Sequence, residues 1–184
     1  MKTIFNLITF EKSKEKMKFL NTYLILFLLV FSTQSCGIYS FTGGNVGEAK
    51  TIRIDYFQNN APIVEPGLSQ RFTQSLQDLF LRQTNLSLVK SNADLNFEGE
   101  IVDFRINPMT ATAEQRAAQN RLTITIKVRF TNRLVEKDNF EKTFSFYYDY
   151  PGTQQLNGSL LETATTTIFE RITRDIFNDS VAKW

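Results

Sequence analysis

"RLTITIKVRFTNR", Arg121 to Arg133, decides how the rest of the chain is read. Leu122, Ile124, Ile126, Val128 and Phe130 recur at every second position, with Arg121, Thr123, Thr125, Lys127, Arg129 and Thr131 between them. A period of two sustained over this length is a strand with one face in a core and the other in water. On its C-terminal side, "LVEKDN" reads as a hairpin turn into "FEKTFSFYYDY", where Phe140, Phe144, Phe146 and Tyr148 alternate again.

On its N-terminal side the pattern changes phase. In "LSLVKSNADLNFEGEIVDFRI", Leu86 to Ile106, the residues Leu95, Phe97 and Ile101 share one parity, while Val102, Phe104 and Ile106 share the other. Gly99 lies between, so a bulge or face switch is expected nearby. The stretch "NPMTATAEQRAAQN", Asn107 to Asn120, has few large apolar groups and predicts an exposed, mobile loop between long strands.

Two segments carry a helical period. Leu68, Phe72, Leu76, Leu79 and Phe80 line one side of "GLSQRFTQSLQDLFLRQT" after Pro66. Leu161, Ala164, Ile168, Ile172 and Ile176 form a stripe on a final helix from about Ser159 to near Trp184. Before the first helix, "TIRIDYFQN", Thr51 to Asn59, reads as a strand with Ile52, Ile54 and Tyr56 on one face and Arg53 and Asp55 on the other. The order strand, helix, strands, helix predicts an α+β fold: a mostly antiparallel sheet of about four strands with two helices packed on one face. The first strand and the one after the helix are expected to pair in parallel through a crossover.

The N-terminal part has a different character. Tyr23 to Phe31 is an apolar run of about nine residues, too short to span a bilayer and right for a secretory h-region. Lysines 12, 14, 16 and 18 precede it, and Met17 offers an alternative start. Ser35, Cys36 and Gly37 close the run in the manner of a bacterial lipobox, with Thr33 where an aliphatic residue is usual. Cys36 is the only cysteine of the chain. An exported protein with one free exposed thiol carries a liability that acylation removes. Residues 1–35 are therefore read as a lipoprotein signal peptide, 36–50 as an acylated tether and 51–184 as one domain. Acyl chains on Cys36 are the only covalent group expected, and each buried methylene adds about 0.8 kcal/mol of membrane affinity.

Removing the signal takes away five of 21 basic residues and two of 19 acidic ones, so the mature chain is near neutral. The alkaline balance of the whole sequence belongs to the signal and gives no argument for nucleic acid. Histidine is absent, which excludes Ser-His-Asp and Cys-His catalysis and the usual His-containing zinc sites. No catalytic residue, metal ligand or diffusible cofactor is assigned. Glu98 and Glu100, about 7 Å apart on one strand face, are the best carboxylate pair for glycoside chemistry. They read far more readily as part of a solvated surface. "TGGNVG" precedes a strand, not a helix, and so is no phosphate loop. Asp179-Ser180-Val181 resembles a short periplasmic O-glycosylation signal, against the default of a fraying helix end.

Four blocks together carry a family resemblance: "CGIYSFTGG", "IDYFQNNAPIVEPGLSQRFTQSLQDLF", "DLNFEGEIVDFRINPM" and "QNRLTITIKVRFTN". Across nearly the whole mature chain they resemble the lipopolysaccharide-assembly lipoprotein LptE family, in its divergent, non-enteric form. The resemblance implies a non-enzymatic lipoprotein on the periplasmic side of the outer membrane. It further implies a place as plug and assembly partner inside an LptD-like β-barrel, in the translocon that delivers lipopolysaccharide. Lipopolysaccharide is a polyanion, and Arg121, Lys127, Arg129 and Arg133 offer a cationic array on the wet face of one strand. They are the candidate contact with lipopolysaccharide or with the barrel wall; the alternative is cross-strand pairing with Glu98, Glu100 or Asp55. Two rival functions are a free-standing lipoprotein that binds an amphiphile or envelope polysaccharide, and an enzyme that uses Glu98 and Glu100.

Overall fold

In chain order the elements are β1 (Thr51–Ile54), β2 (Gln58–Asn59), α1 (Leu68–Gln83), β3 (Ser87–Leu88), β4 (Leu95–Met109), β5 (Gln119–Asn132), a 3-10 turn (Glu136–Asp138), β6 (Phe140–Pro151) and α2 (Gly158–Val181). The structure is a computed structural model and describes residues 46–109 and 118–182, which fall in the unit Thr42–Trp184. The signal segment, Cys36 and most of the tether lie outside the described residues.

The alternating segment is the middle of the sheet. β5 pairs antiparallel with β4 on one side and β6 on the other, over nearly its whole length. The strand order is β3-β1-β4-β5-β6, and β2 pairs with β4 further along the edge that β1 occupies. All three pairings of the N-terminal strands are parallel: β1 with β3, β1 with β4 and β2 with β4. The sheet is thus mixed and six-stranded, not a mostly antiparallel sheet of about four strands. Two-residue strands such as β2 and β3 are too short to show a period, which is why the sequence conceals them. The expected parallel pairing across α1 is present.

The phase change in β4 has a local cause. Ile101 lies opposite Ile126 and Asp103 opposite Thr125, so Val102 is an extra residue on the bulged strand. Before it Leu95, Phe97 and Ile101 are buried; after it Phe104 is. Ile106 follows the new parity but is 40% exposed. The segment expected as loop is partly strand, since β4 continues to Met109 and β5 begins at Gln119; residues 110–117 lie outside the described residues.

β1 also differs from its sequence pattern. It ends at Ile54, and Tyr56, expected beside Ile52 and Ile54, is 59% exposed. Phe57 takes the core position instead. Its N–H donates to Thr73 Oγ1 at 3.1 Å, and its ring meets Phe72 edge-on at 5.1 Å. The strand is anchored at its start by Asp94, whose Oδ2 accepts the N–H of Lys50 (2.9 Å), the N–H of Thr51 (3.0 Å) and the hydroxyl of Thr51 (2.8 Å). These donors, that of Lys50 foremost, hold the carboxyl below its ordinary pKa.

Both helices cover one face of the sheet. Phe72 meets Phe169 at 5.3 Å and Phe80 meets Phe177 at 5.1 Å, the same interval along each helix, so α1 and α2 run in the same direction. Beneath them the in-register residues Phe97, Phe130 and Phe140 form a row across β4, β5 and β6, with ring centroids 4.7 and 5.3 Å apart. Tilted aromatic pairs of this kind add about 0.5–1.5 kcal/mol each beyond their buried area. The buried hydroxyls of α2 remain satisfied within the helix: Thr165, Thr173 and Ser180 donate to the carbonyls of Leu161, Phe169 and Ile176. Ser180 is therefore a core residue and not an accessible glycosylation acceptor.

Candidate functional site

The face of the sheet opposite the helices is polar because the strict alternation of β5 sends every odd-numbered side chain of β5 to it. Here the structure brings Arg121, Lys127 and Arg129 onto one surface with acidic residues of both neighbouring strands. Arg121 clamps Asp149 with both ends of its fork, Nε to Oδ1 at 2.7 Å and Nη2 to Oδ2 at 2.8 Å, and its guanidinium lies 3.7 Å from the centre of the Tyr147 ring. Lys127 Nζ is 2.6 Å from Glu141 Oε1, and Arg129 Nε donates to the other oxygen of the same carboxylate at 3.0 Å. Arg129 also reaches Glu98 at 3.4 Å.

The electrostatic consequence is mutual. Lys127 first and Arg129 second hold Glu141 below the usual carboxylate range, and Arg121 does the same for Asp149. In turn Asp149 raises Arg121, and Glu141 raises Arg129. Arg133 lies apart from this array, exposed just past the end of β5, and acts on Asp94 through its charge. Cross-strand pairing, the alternative reading of the array, therefore describes three of its four members. The partners are chiefly Glu141 and Asp149 of β6, with Glu98 of β4 in a lesser role. Asp55 pairs with Arg53 at 3.2 Å, and Glu100 accepts a hydrogen bond from Asn60 at 2.6 Å.

A groove of about 400 Å³ runs over this face, walled by Asp55, Tyr56, Gln58, Asn60, Glu98, Glu100, Lys127, Arg129 and Glu141. Glu98 and Glu100 both border it, each already engaged with a neighbour. Among the described residues no group of three or more His, Cys, Asp or Glu is placed to hold a metal ion. The contributions of Tyr56 and of the β6 acids Glu141 and Asp149 escaped the sequence reading. The signal for the acids was present in the odd parity of "FEKTFSFYYDY", opposite the aromatic positions.

No curated protein sequence matches the chain at a significant level. Among solved structures it is similar to the hypothetical protein CT253 from Chlamydia trachomatis, at 10% identity and a TM-score of 0.47, covering 73% of this chain and 99% of that one. It is also similar to the rare lipoprotein B from Shewanella oneidensis (9% identity, TM-score 0.41, covering 69% and 89%). A further similarity is to an uncharacterized lipoprotein B from Nitrosomonas europaea (12%, 0.41, covering 71% and 83%). The family model for LptE, lipopolysaccharide-assembly, matches residues 49–180, which run from the start of the Asp94 clamp to the last turn of α2 and include every residue of the paired array. The chain belongs to the LptE lipopolysaccharide-assembly family.

Proposed function

We propose that this chain is an outer-membrane lipoprotein, acylated at Cys36 and facing the periplasm, that sits in the lumen of an LptD-like β-barrel as its plug and assembly partner. The family membership supports the general role. The observation that carries the finer reading is the polar face of β4, β5 and β6, whose arginines and lysine are already neutralised by Glu98, Glu141 and Asp149. A rigid, wet and internally balanced surface suits the polar wall of a barrel lumen. A site built to hold a polyanion would leave its cations free for it. Of the two contacts open to Arg121, Lys127, Arg129 and Arg133, the pairing favours the barrel, with Arg133 the member best able to meet an anionic group. The protein acts by shape and surface, without catalysis.

The test is affinity purification of the tagged chain from detergent-solubilised outer membrane. A β-barrel of LptD size should copurify, and charge reversal at Arg121 together with Lys127 should reduce its yield. Recovery of the lipoprotein alone, with an envelope polysaccharide bound in the groove, would favour the free-standing alternative.

A further inference from the structure

The tip of the β5–β6 hairpin breaks the usual composition of turns. Turn residues are mostly Gly, Pro, Asn, Asp and Ser, yet Leu134 and Val135 stand at this one, 50% and 37% exposed. They are held there firmly. Asn132 Oδ1 accepts the N–H of Leu134 at 2.9 Å and of Val135 at 3.0 Å, and Asn139 Oδ1 accepts the N–H of Asn132. The Val135 carbonyl accepts the N–H of Asp138 at 3.0 Å. Side-chain bonds from two asparagines thus fix a loop that keeps two apolar side chains partly exposed.

The position of this tip gives it a meaning. A mixed recess of about 310 Å³ is lined by Leu134, Val135, Val46 and Val181 with Glu48 and Asp138 among its polar members, so the hairpin lies beside the point where the N-terminal tether joins the domain. About ten residues separate Val46 from Cys36, a reach of at most roughly 35 Å when fully extended. Lipid anchored at Cys36 therefore holds this end of the domain within roughly 35 Å of the bilayer. Arg133, Glu136, Lys137 and Asp138 flank the tip and cancel in charge. Its attraction to a membrane is then apolar and not electrostatic.

We propose that, before the domain is seated in a barrel, Leu134 and Val135 insert at the headgroup level of the bilayer that holds the acylated N-terminus, fixing the orientation of the domain on the membrane. The occupant of this surface is lipid. The inference rests on acylation of Cys36 and adds a second, weaker contact that acts only because the first confines the domain. Val64 provides the internal comparison: it is more exposed, at 68%, but sits in the connection from β2 to α1, beyond the end of β1 and β2 opposite to the one the tether enters.

The experiment uses the full acylated chain carrying Val135→Cys or, separately, Val64→Cys, labelled with an environment-sensitive dye and reconstituted into phosphatidylethanolamine/phosphatidylcholine vesicles without any barrel. A blue shift and quenching by headgroup nitroxide lipids at Val135, with neither at Val64, is the expected result. The shift should be the same when phosphatidylglycerol is added and insensitive to salt. Mass spectrometry of the N-terminal peptide in the same sample separates the two readings. An acylated Cys36 with the Val135 dye in water overturns the hairpin contact and leaves the anchor standing, whereas an unmodified Cys36 removes both. Equal shielding at Val64, a requirement for anionic lipid, or shielding of Val135 only when a barrel is present would each overturn lipid as the occupant.

Discussion

Phe57 fills the space above Gly99. A Cβ at position 99 would approach Phe57 Cε1 to 2.6 Å and collide with the carbonyl of Lys127 on the adjacent strand. The glycine thus lets the fully buried ring lie on the sheet where β1 hands over to β2. Gly99→Ala should destabilise the domain by about 1–3 kcal/mol, the usual cost of overpacking, and Gly99→Val by more. Denaturant unfolding with unchanged m-value is the measurement; a midpoint equal to that of the parent would show that both the β5 backbone at Lys127 and the Phe57 ring give way without cost.

Ile126 has no exposed surface and faces Ile101 across the sheet. Ile126→Asp places a carboxylate in that layer, which costs several kcal/mol against a total stability of about 5–15, so the variant should fail to accumulate. Thr125→Asp, on the wet face, falls opposite Asp103 and should cost no more than about 1 kcal/mol through like-charge repulsion. Comparable losses in the two variants would refute the assignment of faces.

The pH profile has a definite shape. Asp94, Glu141 and Asp149 are held below their ordinary values by donors and cations that the folded state assembles. Each contributes stability that is complete above the ordinary carboxylate value and is lost as pH falls through the lowered folded value. Histidine, the usual titrating side chain between pH 5 and 8, is absent. The thermal midpoint should therefore be flat from about pH 5.5 to 8 and fall only below about pH 4.5. Asp94→Asn should shrink the acid-side loss without moving the plateau's upper limit.

Glu141 separates the two contacts open to the cationic array. It pairs with Lys127 and Arg129 together, so Glu141→Gln releases Lys127 and leaves Arg129 only its longer contact with Glu98. Purified protein with this change should bind lipopolysaccharide more tightly and with a steeper salt dependence, while barrel copurification falls. If neither quantity moves, the wet face of β5 contacts neither partner.

How far the sequence was legible follows the length of each pattern. Five alternating apolar positions made β5 readable at sight, and the parity change between Ile101 and Phe104 announced the bulge at Val102. Tyr56 misled because a strand of four residues ends before its period is established. Leu79 fits the α1 stripe but is only partly buried, while Phe169 and Phe177 widen the α2 stripe beyond one row. The pairing of the cationic array was least legible. Its partners lie on β4 and β6, and only the register of the hairpin brings Asp149 to Arg121 or Glu141 to Arg129.

The Asp94 clamp also bears on how the chain acquires its structure. β4, β5 and β6 are joined as sequential neighbours, whereas β1 lies between β3 and β4, and its bonds to Asp94 close a sequence separation of 43 residues. Loop closure of that kind is slow relative to a local hairpin. In chain order β1 precedes β4, so its parallel edge can form only once β4 is present to receive it. The seam between β1 and β4 is therefore expected to close after the β4–β5–β6 meander has formed, which φ-values near zero for substitutions at Thr51 and Asp94 would show.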